Sequence, residues 1–262
     1  MPKSHSTPAT APASRPLHES FLRVWIPTLV VALFIITFVA QPFDIPSASM
    51  ENTLLIGDHL LADRVRLSPA ATWVDGLLPY RGLQHGDIVV FLASKADVAL
   101  GTVPGTHIVK RLIGLPGDRI KLVHGVVYRN GQALVEPYVI EPATYVPARD
   151  DFPNAGTLMY YGASASWEAE LPQHVQDGEL VVPPGQYFCM GDNRGNSLDS
   201  RYWGFVPAAN VIGRPSVIYW SYRSTEGDYD ASGVGNRLVS LVSTLIHSPV
   251  RTRWERTLHL PK

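Results

Sequence analysis

The sequence predicts a mainly β protein carried behind a single N-terminal apolar helix. Three observations predict it. Of 262 residues, 21 are Gly and 22 are Pro, and charged residues make up only 17% against 45% hydrophobic. A chain so rich in turn formers favours short strands joined by tight turns. One uncharged apolar run, Val24 to Ala40, stands apart from everything else. Beyond it the apolar residues come in short runs bounded by Gly, Pro, Asn and Asp. The length allows one large domain or two small ones with a real core. A net charge of −1 leaves no basic excess for neutralising phosphates, which excludes a nucleic-acid partner on electrostatic grounds. The single cysteine, Cys189, excludes an internal disulfide and a cysteine-built zinc site.

Residues 1–20, dominated by Ser, Thr, Pro and Ala, read as a disordered tail. The run that follows has 17 uncharged residues from Val24, or 20 with one Arg from Phe21. At a rise of about 1.5 Å per residue it spans roughly 26–30 Å, the thickness of a hydrocarbon core. Pro27 falls in the first turn of such a helix, and Trp25 at interfacial depth. No polar face appears at helical spacing, which argues against a buried core helix. Bulky Phe38 stands where a cleavable leader wants a small residue, and the run exceeds the usual leader length. The reading is an uncleaved anchor over residues 21–40. Lys3, Arg15 and Arg23 precede it against Glu19, and Asp44 and Glu51 are the first charges after it. The positive-inside tendency then puts the N-terminus in the cytoplasm and residues 41–262 on the far side.

Strands are expected at Asp87–Phe91, after Gly86, and at His107–Leu112. Val126–Arg129, Asn130-Gly131 and Ala133–Val135 form a hairpin signal, because Asn-Gly supplies the positive φ angles of a type I′ turn. Two further strands, Glu179–Val182 and Gln186–Met190, flank Pro183-Pro184-Gly185, and Asn210–Tyr222 is another β-type stretch. Residues 136–178 are polar and punctuated by Pro and Gly, an elaborated surface region. Residues 227–236 read as a linker, after which Leu238, Leu241, Val242 and Leu245 fall at helical spacing. The C-terminal tail carries Arg251, Arg253, Arg256 and Lys262 against Glu255, with Trp254 among them.

The chemistry-bearing residues are few. HExxH, P-loop and G-x-S-x-G motifs are absent, and the nine histidines lack metal-ligand spacing, so no metal or cofactor is expected. Ser47 and Ser49 lie within nine residues of the end of the apolar run, a reach of at most about 30 Å from the bilayer. They serve either as a Ser-rich turn or as nucleophile chemistry. Alternation along His107–Leu112 places Lys110 on one face with Ile108 and Leu112. Such an amine is either a snorkelling surface lysine or a desolvated one. Desolvation disfavours the ammonium form and would let Lys110 serve as a general base. A third segment, Met190 to Arg201, mixes glycines, carboxylates and arginines. It is either a surface turn or a buried ionic network beneath a site.

Four segments in order now carry a family resemblance. They are Pro46-Ser47-Ala48-Ser49-Met50 with Asn52-Thr53-Leu54, Gly86-Asp87-Ile88-Val89-Val90-Phe91, Lys110-Arg111-Leu112-Ile113-Gly114-Leu115-Pro116-Gly117-Asp118, and Gly191 to Arg201. Together with the apolar run, this pattern resembles the bacterial type I signal peptidases (leader peptidases), membrane-anchored Ser/Lys proteases. The resemblance implies Ser49 as nucleophile and Lys110 as its general base. It implies that Ser47 gives its hydroxyl to the oxyanion hole, that Ser197 orients the lysine amine, and that Asp199 and Arg201 support the site through ion pairing. Gly195 departs from the acidic residue common at that place, which bears on one loop contact. The implied partners are preprotein signal peptides and the lipid bilayer, and the implied location is the bacterial inner membrane, crossed once.

The expected division is a tail over 1–20, the anchor over 21–40, and a catalytic β-rich core over 41–121 and 185–226. A second β-rich subdomain, 122–184, is inserted in it, and 227–262 forms a linker with a basic C-terminal segment. Four other readings stay open. They are a specialised peptidase maturing one partner, a Ser/Lys self-cleaving regulator, a Ser-His-Asp hydrolase using His107, and an anchored module that binds without catalysis.

Overall fold

Burial that alternates along some strands and is continuous along others builds two antiparallel sheets. The structure, a computed structural model, describes residues 17–35, 40–63, 81–94, 100–153, 162–224 and 249–261. Among these residues the larger sheet has seven strands. They are β1 (Ala40–Asp44), β2 (Asp58–Asp63), β3 (Ile88–Leu92), β4 (His107–Gly114), β10 (Gln186–Met190), β11 (Val206–Pro207) and β12 (Val211–Ser221). Their order is β1-β2-β12-β3-β4-β10-β11. The smaller sheet orders β7 (Gln132–Ala133), β6 (Val126–Arg129), β5 (Arg119–Val123), β9 (Glu179–Val181) and β8 (Val175–Gln176). The expected strands form, except that β7 ends at Ala133 and leaves Leu134 and Val135 of the expected Ala133–Val135 strand outside the sheet. The turn at Asn130-Gly131 has φ of 54° and 77°, the two left-handed positions that tighten the β6–β7 hairpin. Pro183-Pro184-Gly185 does not close a hairpin: β9 lies in the small sheet and β10 in the large one, so the motif marks the crossing between them.

Strand β2 buries alternate residues, whereas β4 buries every residue from Lys110 to Gly114. A strand with both faces covered carries a continuous run of buried side chains. The two sheets share one core, in which Ile113, Phe188 and Met190 of the large sheet meet Ile120, Leu122 and Leu180 of the small one. A second cluster, Ile45, Met50, Leu54, Leu60, Ile88 and Ile218, lies under the Ser49 segment.

Several expectations change. Residues 136–178 are more than surface elaboration. They hold α2 (Pro147–Asp150) and α3 (Ala165–His174), and α3 buries Trp167 and Leu171 in the shared core. These two residues sit four apart, one helical turn, and Ser164 caps the helix by accepting from Trp167 N–H. The N-terminal helix α1 (Leu17–Phe34) begins inside the stretch assigned to the tail, so Pro27 sits in its interior rather than its first turn. The side chains of residues 21–35 are exposed throughout. Among the described residues no helix is long and apolar enough to cross a membrane. Residues 1–16, residues 36–39 at the end of the apolar run, the linker over 227–236 and the helical spacing over 238–245 lie outside the described residues.

Candidate active site

The segment after β1 is pinned at both ends before it reaches the serines. Ile45 N–H donates to Asp58 O (2.9 Å) and Gly57 N–H to Ile45 O (2.9 Å). Between them the chain makes a 3-10 turn, Ala48–Met50. Met50 and Leu54 anchor it in the apolar cluster below, while Met50 O accepts from the N–H groups of Thr53 (3.2 Å) and Leu54 (2.8 Å). Buried Met50 thus leaves its neighbour Ser49 at the mouth of a cleft. Lys110 comes from β4, paired with Val89 of β3, and is itself buried. Its Nζ lies 2.6 Å from Ser49 Oγ. On the exposed side, Ser47 Oγ stands 3.4 Å from the same oxygen.

The segment after β10 closes on this pair from behind. A Cβ on Gly191 would lie 2.5 Å from Ser49 O and 2.3 Å from Ser197 Oγ, so only glycine lets the two chains meet there. Asn193 N–H donates to Ser49 O (3.2 Å). Ser197 lines the same cleft as Ser49 and Lys110. Its hydroxyl is buried and makes no hydrogen bond among the described residues. The bond from Ser197 to the lysine amine that the resemblance implies is therefore not formed in this structure; the side chain packs instead against Gly191. At Gly195 a Cβ would meet Pro142 Cβ at 2.9 Å, with Arg149 Nη1 at 3.7 Å. Glycine there lets the loop sit close under Pro142.

Beneath the loop lie three buried ion pairs. Arg201 donates from Nε to Asp199 Oδ1 and from Nη2 to Oδ2, both at 2.9 Å, and Nη2 also donates to Arg194 O (2.9 Å). Arg111 grips Asp192 with Nε (2.8 Å) and Nη2 (2.6 Å), donates from Nη1 to Gly86 O (2.8 Å), and lies over the Tyr138 ring at 3.7 Å. Arg194 holds Glu136 with two bonds of 3.0 and 2.7 Å. Two-pronged pairing is what makes buried charge tolerable, since each ion loses its water. Burial alone would raise the Asp199 pKa. The Arg201 guanidinium and the Gly191 N–H outweigh it and hold the carboxyl below the usual carboxylate range. Thr53 Oγ1 donates to Asp192 and accepts from Arg111 Nη2 (3.2 Å), tying this network to the turn that carries Ser49.

The cleft has a volume of about 590 Å³ and is lined by Ile45 to Met50 on one side and by Ile108, Val109 and Lys110 on the other. The ladder between β4 and β10 covers Arg111 to Gly114, so it stops short of the β4 residues that line the cleft. Compared with known families, residues 18–220 match signal peptidase, peptidase S26. The chain belongs to this family. It is 36% identical to the "Probable signal peptidase I-1" of Synechocystis over 74% of this chain and 80% of the relative. It is 32% identical to the "Signal peptidase I" of Leptolyngbya laminosa over 84% of this chain and 90% of the relative. A solved signal peptidase I from Enterococcus faecalis is 32% identical, covering 51% of this chain and 97% of that one, with a TM-score of 0.35. The protein is a serine endopeptidase of the signal-peptidase type.

Several residues of this peptidase's site were not singled out by the sequence reading. Arg111 and Asp192 lie inside the recognised segments, but nothing in their spacing says that they pair with each other. Thr53 joins them through a turn 58 residues from Arg111. Glu136 and Tyr138 fall in the region read as surface.

Proposed function

We propose that the peptidase removes signal peptides from exported preproteins with Ser49 as nucleophile and Lys110 as general base. The observation that carries this reading is the 2.6 Å contact between Lys110 Nζ and Ser49 Oγ at the wall of the cleft. A serine hydroxyl is a poor nucleophile near neutrality and needs a base within hydrogen-bond reach. Neutral Lys110 takes the Ser49 proton as Oγ attacks the scissile carbonyl. The ammonium then returns the proton to the leaving amine, releasing one peptide and leaving an acyl ester on Ser49. Lys110 next takes a proton from water, whose hydroxide cleaves the ester. Lysine suits this cycle because it can shed its proton, which arginine cannot. Ser49 N–H and the Ser47 hydroxyl face the developing oxyanion. Ser197, Asp199 and Arg201 support the pair from behind.

The substrate lies extended in the cleft beside His107–Val109 of β4, adding main-chain bonds as a strand does, with small residues before the cut. The apolar run over 21–40 serves as a single-pass anchor in the bacterial inner membrane, with its N-terminus cytoplasmic and residues 41–262 on the extracytoplasmic side. Such a tether confines enzyme and membrane-held substrate to one plane. Tyr219, Trp220 and Trp254 face lipid in this reading; Trp254 is 65% exposed. Residues 122–184 form the inserted subdomain of a catalytic core built from 41–121 and 185–226.

The test is to incubate the full chain with a preprotein and sequence the new N-terminus. Cleavage after the signal peptide is expected, lost with Ser49→Ala and Lys110→Ala and kept with His107→Ala. Wild-type cleavage by either dyad variant would overturn the assignment. Loss with His107→Ala while Lys110→Ala stays active would favour a histidine base.

A further inference from the structure

The family match ends at residue 220, yet the chain returns at residues 249–261 to a place beside the turn that follows Ser49. Strand β3 pairs with β12 at Val211 and Gly213. Farther along β12, the C-terminal segment takes a place beside it. Ile218 N–H donates to His259 O (2.8 Å), Leu258 N–H to Ile218 O (2.7 Å), and Arg253 N–H to Ser221 O (2.8 Å). These bonds fix the backbone, and two arginines then reach under the turn that follows Ser49.

Arg256 Nη2 donates to Thr53 O (2.9 Å) and to Asp58 Oδ2 (2.6 Å). Asp58 is fully buried and also accepts from Ser221 Oγ (2.6 Å) and Leu55 N–H (2.9 Å). Arg253 Nη1 donates to Ile56 O (3.0 Å). The turn from Ser49 to Asp58 is thus gripped on two sides. Arg111 and Asp192 hold the Thr53 hydroxyl, and Arg256 holds the Thr53 carbonyl. Thr53 in turn is bonded to Met50 O, next to the nucleophile.

We propose that Arg256 is a positioning residue: by clamping Thr53 and Asp58 together it sets the distance between Ser49 Oγ and Lys110 Nζ. The proposal rests on the Ser49/Lys110 reading. The reaction depends on the geometry of that pair, and displacement by an ångström costs up to about a hundredfold in rate. Both bonds leave one Nη2, whose two N–H groups are fixed in the guanidinium plane, whereas an ammonium on a flexible stem does not hold the acceptors in fixed relation.

The test uses the full chain and a preprotein substrate, with kcat, KM and the folded fraction measured for each variant. Arg256→Ala is expected to lower kcat per folded molecule about tenfold or more at nearly unchanged KM. Arg256→Lys should fall between it and wild type. Leu260→Ser, on the same segment, should leave both constants unchanged. A wild-type kcat per folded molecule in Arg256→Ala overturns the proposal, as does a loss that only tracks unfolding. Should Arg256→Ala not fold, the Arg256→Lys enzyme decides, and wild-type kcat there overturns it. Ser49→Ala runs alongside. If it stays active, the dyad reading and the clamp fall together; if it is dead while Arg256→Ala is fully active, only the clamp falls.

Discussion

Lys110 and Arg111 are adjacent on β4, point to opposite faces and are equally buried, yet the fold gives them different company. Lys110 meets a hydroxyl, Ser49 Oγ, at the wall of an open cleft. Arg111 meets the Asp192 carboxylate in a closed network that extends through Thr53 to the turn that carries Ser49. Arginine keeps its charge in a protein, so burying it requires a fixed counter-charge, and the result is scaffolding. Lysine can give up its proton, so one buried beside a hydroxyl suits the proposed base. In the proposed mechanism one strand thus separates chemistry from support by alternating its side chains.

The sharpest way to break this contrast is to exchange the roles. Lys110→Arg keeps a cation of similar reach, yet turnover should fall by about 10⁴ or more, as with Ser49→Ala, because arginine cannot accept the serine proton. Preprotein cleavage by the purified variants checks this. On the supporting side, Arg201→Met leaves Asp199 charged, buried and unpaired. It should cost about 3–5 kcal/mol of stability, seen as an earlier denaturant midpoint, and the activity lost should follow the folded fraction. Ser47→Ala touches only the exposed edge of the dyad. It should lower kcat by about 10²–10³ with the protein's stability intact.

The smallest effect is one of pH. The folded Asp199 carboxyl lies below its usual range because Arg201 overcomes the effect of burial. Its contribution to stability is then complete above the ordinary carboxylate pKa and is lost as pH falls through the folded value. Denaturant midpoints followed from about pH 7 to about pH 3 should decline in the wild type. Asp199→Asn, already less stable, should show a shallower decline.

The strands were legible because their apolar runs and Gly/Pro boundaries are local signals. The Asn130-Gly131 turn is the clearest case, since two residues dictate its backbone angles. Helix α3 was less so. Its buried stripe is only Trp167 and Leu171 within a polar stretch, and a stripe so narrow gives little periodicity to read. Resemblance pointed to Ser49 and Lys110, and the fold brings those two side chains together. It does not bring Ser197 into hydrogen bonding with the amine. The basic C-terminal residues read as a tail because charge and spacing say nothing about a buried aspartate nearly 200 positions earlier. Only folding sets Arg256 against Asp58.

By itself the sequence determined the β-rich class, the placing of an apolar run shortly before two serines, and the family. These depend on composition, local pattern and order along the chain, which a linear reading contains. Tertiary structure alone decided which buried charge pairs with which, that a glycine at 191 admits the backbone of Ser49, and that residues beyond 248 return to grip the turn from Ser49 to Asp58. Such contacts join segments far apart in the chain, and their partners are selected by shape and desolvation, which appear only when the sheets close around a shared core.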